Sequence, residues 1–219
     1  MKKKFLIAII LLLFLSTYKL QNNYELNSKL KIKNIEIENN QIIGDKEIRK
    51  NISFLYDANL IFFKTKDLEI RLREISFIES FEVKRIYPNS IKIKIYEKKP
   101  VAILQNRMEK KYFTKKGDVI DFFYLKDFDK LPLVFGNKEN FKPFYYNLMV
   151  INFPIEEIKT FYFFESRRWD LITNKNQTIK LPENNYNESL KNFLKIKDKI
   201  NYGKYKIFDY RIKDQLILK

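Results

Sequence analysis

The chain of 219 residues contains no cysteine and no histidine. It therefore has no disulfide framework and no thiolate metal ligand, and it lacks the commonest general base and zinc ligand. Glycine is scarce, at positions 44, 117, 136 and 203 only. Because these glycines lie far apart, neither GxGxxG nor GxxxxGK[ST] is present, which excludes nucleotide binding by either motif. The sequence predicts no catalytic residue, no metal site and no cofactor.

Basic residues are abundant, with 43 Lys and Arg against 27 Asp and Glu and a formal net charge of +16. Such an excess first suggests a phosphate-bearing or anionic lipid partner. The lysines are spread along the whole chain without an arginine-rich block, so we expect no nucleic-acid partner. Paired acids such as Asp127 and Asp129 have no apolar pocket pattern around them. We interpret them as solvated charge and expect no small-molecule substrate.

The N-terminus is a basic tetrapeptide, residues 1–4, followed by an uncharged and largely apolar run from Phe5 to Tyr18. Fourteen helical residues extend about 21 Å against a hydrocarbon core of about 30 Å, which leaves a signal peptide and a short anchor as alternatives. Large residues stand where signal peptidase needs small ones, which favours an uncleaved anchor over residues 5–20. The lysines of residues 1–4 predict a cytoplasmic tail, with the remaining chain beyond the membrane.

Residues 21–30 are mostly polar and predict a tether, after which residues 31–99 predict a compact domain. Apolar alternation over Lys31–Glu38 predicts a strand. Two apolar triplets at helical spacing then predict two helices, with Asp45 capping the first and Thr65 or Asp67 the second. The triplets are Ile48, Ile52 and Leu55, and Leu68, Leu72 and Ile75.

Two alternating runs follow within Glu82–Leu104, EVKRIYPNSIKIKIYEKKPVAIL. Pro88 and Asn89 supply a turn between antiparallel strands. The order β-α-α-β-β predicts a three-stranded sheet with two helices on its apolar face. The lysines of the second run then lie on the solvated side, with lipid headgroup contact as the alternative.

Residues 100–219 predict a second, mostly antiparallel β domain with one or two helices, which makes the fold class α+β. The helices are expected near Phe141–Met149 and Asn187–Ile200. Two strand-like runs close the chain on either side of Lys213-Asp214.

Five motifs in order resemble the FtsQ/DivIB cell-division family. The first, VKRIYPNSI followed by IYEKKPVA, is similar to the end of that family's POTRA domain and its junction with the β domain. The others are KGDVI, LPLVFG, RRWDL with IKLP, and FDYRIKDQL. The resemblance covers nearly the whole chain. Tyr87 stands where the family often has tryptophan, and the cytoplasmic tail is shorter than in many relatives.

The resemblance implies a non-enzymatic, single-pass inner-membrane protein with a periplasmic bulk, located at the division septum. Its implied partners are the coiled-coil division proteins FtsB and FtsL and other divisome components. A POTRA-bearing export or assembly protein with a chaperone-like client-binding role is the alternative. A secreted enzyme or carbohydrate-binding protein is a third hypothesis, and it requires signal cleavage.

For the implied partner contact we expect β-strand addition at an exposed sheet edge formed by Tyr210–Leu218, because an apolar terminal strand left open invites aggregation. Arginine grips a carboxylate bidentately, so two arginines are expected to meet acidic groups of the partner. An internal ion pair is the alternative role for both. The predicted contact residues are Arg168, Tyr210, Arg211, Ile212, Leu216, Ile217 and Leu218.

Overall fold

The computed structural model describes residues 2–17, 29–107, 109–197 and 204–219. The chain divides into two compact units, with the division between Glu97 and Lys98. The predicted tether falls largely outside the described residues, because residues 18–28 are not among them.

The apolar N-terminal run forms helix α1, Lys2–Thr17. Its side chains at Phe5, Leu12 and Phe14 are 70%, 70% and 78% exposed. Within the described part of the chain, no helix combines the length and hydropathy expected of a membrane span. Residues 18–20 of the predicted anchor lie outside the described residues, so the anchor over residues 5–20 stays a prediction.

The remainder of the first unit has the predicted β-α-α-β-β order. Its elements are β1 (Asn34–Glu38), α2 (Asp45–Asn51), a 3-10 turn (Ser53–Leu55), α3 (Thr65–Arg73), β2 (Ile78–Ile86) and β3 (Ser90–Glu97). Strand β3 is central, parallel to β1 and antiparallel to β2. The prediction of a three-stranded sheet is confirmed.

The core of this unit contains the apolar side chains that recur every second residue in the strands and every three to four residues in the helices. Ile91, Ile93 and Ile95 of β3 are fully buried. The helical triplets are buried as well, because residues three and four apart share one face of a helix. Full burial of an aliphatic side chain contributes about 1.5 to 3 kcal/mol.

The predicted helix caps are wrong. Helix α2 begins after Gly44, with Asp45 as its first helical residue, and α3 begins after Lys64. Neither capping residue makes a side-chain hydrogen bond to the helix. Asp45 instead pairs with Arg49 one turn later, at 2.6 Å.

The second unit is built on a nine-stranded sheet in the order β12-β11-β10-β9-β8-β7-β4-β5-β6. The strands are β4 (Pro100–Asn106), β5 (Glu109–Thr114), β6 (Val119–Asp121), β7 (Leu133–Phe135), β8 (Ile158–Phe163), β9 (Trp169–Thr173), β10 (Thr178–Lys180), β11 (Ile207–Asp209) and β12 (Ile217–Leu218). Its parallel pairs are β4 with β7, β7 with β8, and β10 with β11. The other neighbouring pairs are antiparallel, as predicted for most of this domain.

Helices α4 (Lys138–Val150) and α5 (Tyr186–Lys197) contribute to the core on one face of this sheet. A row of buried residues crosses that face from β7 to β11 through strand pairing and ends at half-buried Leu218. The row is Val134, Phe161, Leu171, Ile179, Phe208 and Leu218. Trp169 stacks on Phe144 of α4 with ring centroids 4.7 Å apart, so the single tryptophan is a core residue.

Candidate partner-binding edge of the second unit

One edge of the nine-stranded sheet is formed by the two residues of β12. The two closing strands predicted on either side of Lys213-Asp214 are β11 and β12. The edge predicted as Tyr210–Leu218 is wrong in its extent, because only Ile217–Leu218 is extended there. Residues 211–216 turn back instead, and Asp214 adopts a positive φ of 57°. Aspartate tolerates this left-handed conformation, so the chain reverses and returns antiparallel to β11.

The pairing of β12 directs the backbone of Leu218 outward. Ile207 and Lys219 exchange both of their backbone hydrogen bonds, at 2.9 and 3.1 Å. In an antiparallel pair, such hydrogen-bonded positions alternate with positions whose N–H and C=O point away from the neighbour. Leu218, opposite Phe208, is the next position. Its N–H and C=O therefore face the open side of the sheet.

The side chains of this edge are apolar on both faces. Leu216 and Leu218 are half-buried and pack against the core cluster. Ile217 lies opposite Asp209 on the other face of the sheet and is also half-buried. Ile212, in the preceding turn, is 51% exposed. The segment thus combines outward backbone groups with incompletely covered apolar side chains.

Tyr210 is part of the core of the second unit. Its side chain is 7% exposed, and its hydroxyl lies 3.2 Å from Oδ1 of Asn192 on α5. Its backbone N–H donates to the carbonyl of Lys180 at 2.9 Å. A partner at this edge therefore meets little of Tyr210 unless the segment moves.

Both predicted arginines are paired with internal carboxylates. Arg211 grips Asp209 bidentately, with Nε to Oδ1 at 2.8 Å and Nη2 to Oδ2 at 2.6 Å. Arg168 lies in the turn before β9, with its Nε 3.5 Å from Oδ1 of Asp170 and its guanidinium carbon 4.6 Å from the Phe164 ring centroid. The alternative role of internal ion pairing therefore describes both residues in this structure. Contact with a partner stays a prediction.

Cross-strand pairing joins the two ion pairs into a single row of charges. Lys180 of β10 lies opposite Asp170 on one side and Asp209 on the other. The row thus alternates in sign, from Arg168 through Asp170, Lys180 and Asp209 to Arg211. We call these five residues the charge row. Arg211, whose side chain is 41% exposed, is its accessible end next to β12.

The two carboxylates of the charge row are shifted in opposite directions. Hydrogen bonds from Arg211 are the largest influence on Asp209, and they hold its pKa below the ordinary value against the opposing effect of burial. Burial raises the pKa of Asp170, against the attraction of Arg168, Lys180 and Arg211. Asp209 is therefore held ionised by its partner.

A groove of about 590 Å³ lies between the start of α5 and the turn that precedes β12. Glu183 and Glu188 line one wall, and Arg211, Ile212 and Leu216 lie among the residues of the other. The groove and the two aspartates, Asp170 and Asp209, are not part of the site predicted from the sequence. The Arg168-x-Asp170 and Asp209-x-Arg211 spacings carry a signal for the aspartates, because a residue just outside a strand can lie on the same side as the strand residue two positions away.

The fold defines a two-domain protein. Its first unit has the β-α-α-β-β order, and its second is a β domain whose mixed sheet ends in a short apolar edge. Residues 30–98 match the family described as "POTRA domain, FtsQ-type", and residues 102–211 match "Cell division protein FtsQ/DivIB, C-terminal". The chain belongs to the FtsQ/DivIB family of cell-division proteins, a family without enzymatic activity. The recognition made on the five sequence motifs is confirmed.

Two FtsQ proteins agree with this assignment. The chain is 28% identical to the cell division protein FtsQ of Rickettsia conorii over 207 residues, which are 92% of this chain and 77% of that protein. It is 25% identical to FtsQ of Bartonella bacilliformis over 170 residues, covering 77% and 55% of the two chains. A solved structure, the major extracytoplasmic domain of DivIB from Geobacillus stearothermophilus, aligns with 9% identity and a TM-score of 0.34 over 49% of this chain and 97% of that one.

Proposed function

We propose that this protein is a single-pass inner-membrane scaffold of the divisome that binds FtsB/FtsL-like coiled-coil proteins. In this role it links early division proteins to septal peptidoglycan synthesis. The observation that carries the proposal is the outward direction of the Leu218 N–H and C=O on an apolar edge strand. A partner strand alongside β12 accepts and donates hydrogen bonds there, as in other cases of strand addition.

Side chains supply the remaining contacts in this proposal. Apolar residues of the partner strand cover Leu216, Ile217 and Leu218 on the two faces of the edge. Arg211, at the accessible end of the charge row, holds an acidic residue of the partner. Such a contact contributes about 1 kcal/mol or less while Arg211 remains partly exposed and paired with Asp209.

The proposed membrane anchor is helix α1 together with the residues that follow it. Sixteen helical residues extend about 24 Å. Lysines near both ends extend the effective span by snorkelling. The basic residues at positions 2–4 stay in the cytoplasm, so the chain beyond the anchor lies in the periplasm.

Depletion of the protein in its host tests the proposed role. We expect filamentous cells without septa, because the septal synthases lose their link to early division proteins. A copy of the gene expressed in trans restores septation and serves as the control. Normal septation after full depletion contradicts the proposal.

A further inference from the structure

Three segments of the first unit meet at one end of its sheet. Residues 30–33 lead into β1, residues 57–63 form a loop before α3, and residues 86–89 turn from β2 into β3. The Ile32 N–H donates to the carbonyl of Ala58 at 2.9 Å, and the Lys33 N–H donates to the carbonyl of Asn89 at 2.8 Å. Backbone hydrogen bonds therefore fix the three segments side by side.

This end of the unit exposes four large apolar side chains, which we call the tip patch. They are Ile61 at 47%, Phe62 at 75%, Ile86 at 38% and Tyr87 at 64% exposure. Arg85 joins their two loops, because Nη2 lies 3.3 Å from the Phe63 carbonyl oxygen and the guanidinium lies 4.5 Å from the Phe63 ring centroid. The patch is thus held together by the fold.

Core packing does not account for the tip patch. In the same segments, Ile32 and Leu60 are 1% and 0% exposed and supply the apolar contacts that the fold needs. Phe62 and Tyr87 lie beside them and stay largely in solvent. A cluster of exposed aromatic and aliphatic side chains is typical of an interaction site.

Five exposed lysines lie within the three segments or within three residues of them, and we call them the basic rim. They are Lys31, Lys33, Lys64, Lys66 and Lys84, and Asp57 is an exposed acidic residue in the same segments. Among the described residues none of these five lysines forms an ion pair within 4.0 Å. Aromatic side chains bordered by free lysines have the chemistry of proteins that sit at the headgroup level of an anionic bilayer.

In the sequence, this end of the unit is the part that follows α1 most directly. The carbonyl of Leu30, at the tip, accepts a hydrogen bond from Leu60 N–H at 2.8 Å. Only residues 18–28 separate Lys29 from α1 in the sequence. Even a fully extended connection of this length reaches about 40 Å at most. When α1 is in a bilayer, the tip patch is therefore within reach of its surface.

We propose that the tip patch and the basic rim dock the first unit on the surface of the bilayer that holds α1. Phe62 and Tyr87 enter the headgroup layer, and the lysines of the basic rim contact lipid phosphates. This docking rests on the membrane placement given under Proposed function. It adds a second membrane contact that fixes the orientation of the first unit.

The absence of cysteine from the chain allows a direct test with single spin labels. The full chain is reconstituted in phosphatidylcholine nanodiscs with or without phosphatidylglycerol, and labels are placed by Phe62→Cys and Tyr87→Cys. Gln41→Cys is the matched control, because Gln41 is exposed and its backbone N–H bonds to Glu97 at the opposite end of the sheet. Leu12→Cys reports on α1. The readout is the relaxation of each spin label by lipid-soluble oxygen, compared with its relaxation by a water-soluble nickel chelate.

In the anionic nanodiscs we expect oxygen to relax the labels at positions 62 and 87 more strongly than the nickel chelate does. For the label at position 41 we expect the reverse. Labels at 62 and 87 as water-exposed as the one at 41, with position 12 in lipid, would overturn the docking while leaving the anchor intact. A water-exposed label at 12 overturns the anchor and the docking with it. Shielding of 62 and 87 only after addition of a host division protein shows a protein partner and overturns the lipid assignment.

Charge reversal in the basic rim sharpens the test. With the label at position 62, Lys64→Glu lowers the lipid-contact population about fivefold or more, because one basic side chain near an anionic surface changes binding by about that factor. Lys46→Glu, on an exposed residue of α2, is the control and leaves the population unchanged. Equal effects of the two substitutions contradict a specific role of the rim.

Discussion

The two edges of the nine-stranded sheet are both short, yet they differ in what they offer a partner. At β6, Ile120 is 4% exposed, and the strand ends at the exposed Asp121. The chain beyond it folds back, with the hydroxyl of Tyr112 donating to the carbonyl of Phe123 at 2.9 Å. At the opposite edge, Leu216 and the two residues of β12 are apolar and half-buried, with no acidic residue among them.

The difference shows that a short edge strand is not by its length alone protected from pairing with another chain. Phe123 and Tyr124 beside β6 are 45% and 73% exposed, so apolar exposure by itself does not distinguish the edges either. What distinguishes β12 is that apolar side chains flank the outward backbone groups of Leu218. A charged residue within a short edge strand discourages pairing with another chain. Strand β6 contains Asp121, whereas the charged residue nearest to β12, Lys219, lies just beyond the strand.

The largest expected effect concerns the structural role of β6. Ile120→Ala removes a buried side chain and leaves a cavity, so we expect a loss of about 2 to 4 kcal/mol in the free energy of unfolding. Leu218→Ala at the half-buried edge is the comparison, with a loss of about 1 kcal/mol. Denaturant unfolding followed by fluorescence of Trp169, the single tryptophan, measures both. Equal losses would remove the contrast between the edges.

The next effect concerns partner binding. Leu218→Pro removes an N–H that points away from β11, so the intramolecular ladder survives while the hydrogen bond to an added strand is lost. We expect binding of an FtsB/FtsL-like partner to weaken at least about tenfold, from the lost hydrogen bond and the steric effect of the ring.

Asp121→Pro is the matched control for that substitution, because by the same alternation its N–H points outward at the opposite edge. Titration of the full chain with the partner should give the wild-type affinity for Asp121→Pro. If both proline variants bind normally, strand addition at β12 is excluded.

A smaller effect is expected from Asp209→Asn, which breaks the bidentate pair with Arg211. Because Arg211 is partly exposed, we expect a loss of about 1 kcal/mol in unfolding free energy at neutral pH. The folded-state pKa of Asp209 is lowered. Its contribution is therefore present above the ordinary carboxyl pKa and disappears as the pH falls through the lowered value.

The measurement is denaturant unfolding of the wild type and the variant from neutral to acidic pH. The two curves should converge as the pH falls. A difference that persists unchanged at low pH would show that the variant acts through packing and not through charge.

The smallest effect is expected from Arg211→Lys. Lysine keeps the charge but loses the planar fork that matches a carboxylate, so we expect partner binding to weaken about threefold. Lys213→Gln, in the same turn, is the control, and we expect it to leave partner binding unchanged. Equal effects of the two substitutions would show that the guanidinium of Arg211 makes no specific contact with the partner.

Residues with a clear period were the ones whose positions could be predicted. Ile91, Ile93 and Ile95 alternate, and the helical triplets repeat every three to four residues, so sequence alone indicated the sheet and both helices of the first unit. The predicted caps of α2 and α3 are wrong, because acidic residues also favour the first helical turn, where Asp45 and Asp67 lie.

The candidate site was harder to predict, since it depends on contacts between distant segments. Lys180 connects Asp170 and Asp209 only because β10 pairs with both β9 and β11, and no local pattern encodes that pairing. The edge expected over Tyr210–Leu218 is extended at Ile217–Leu218 only, because residues 211–216 form the turn. The spacing of each arginine from its aspartate is a local signal, but the row that joins the two ion pairs depends on strand pairing.

Amide hydrogen exchange of Leu218 tests strand addition at β12 most directly. The full chain is measured alone and with a saturating FtsB/FtsL-like partner. We predict that exchange at Leu218 slows at least about tenfold on binding, while exchange at Asp121 on the opposite edge is unchanged. A complex that forms without slowing exchange at Leu218 would contradict the account.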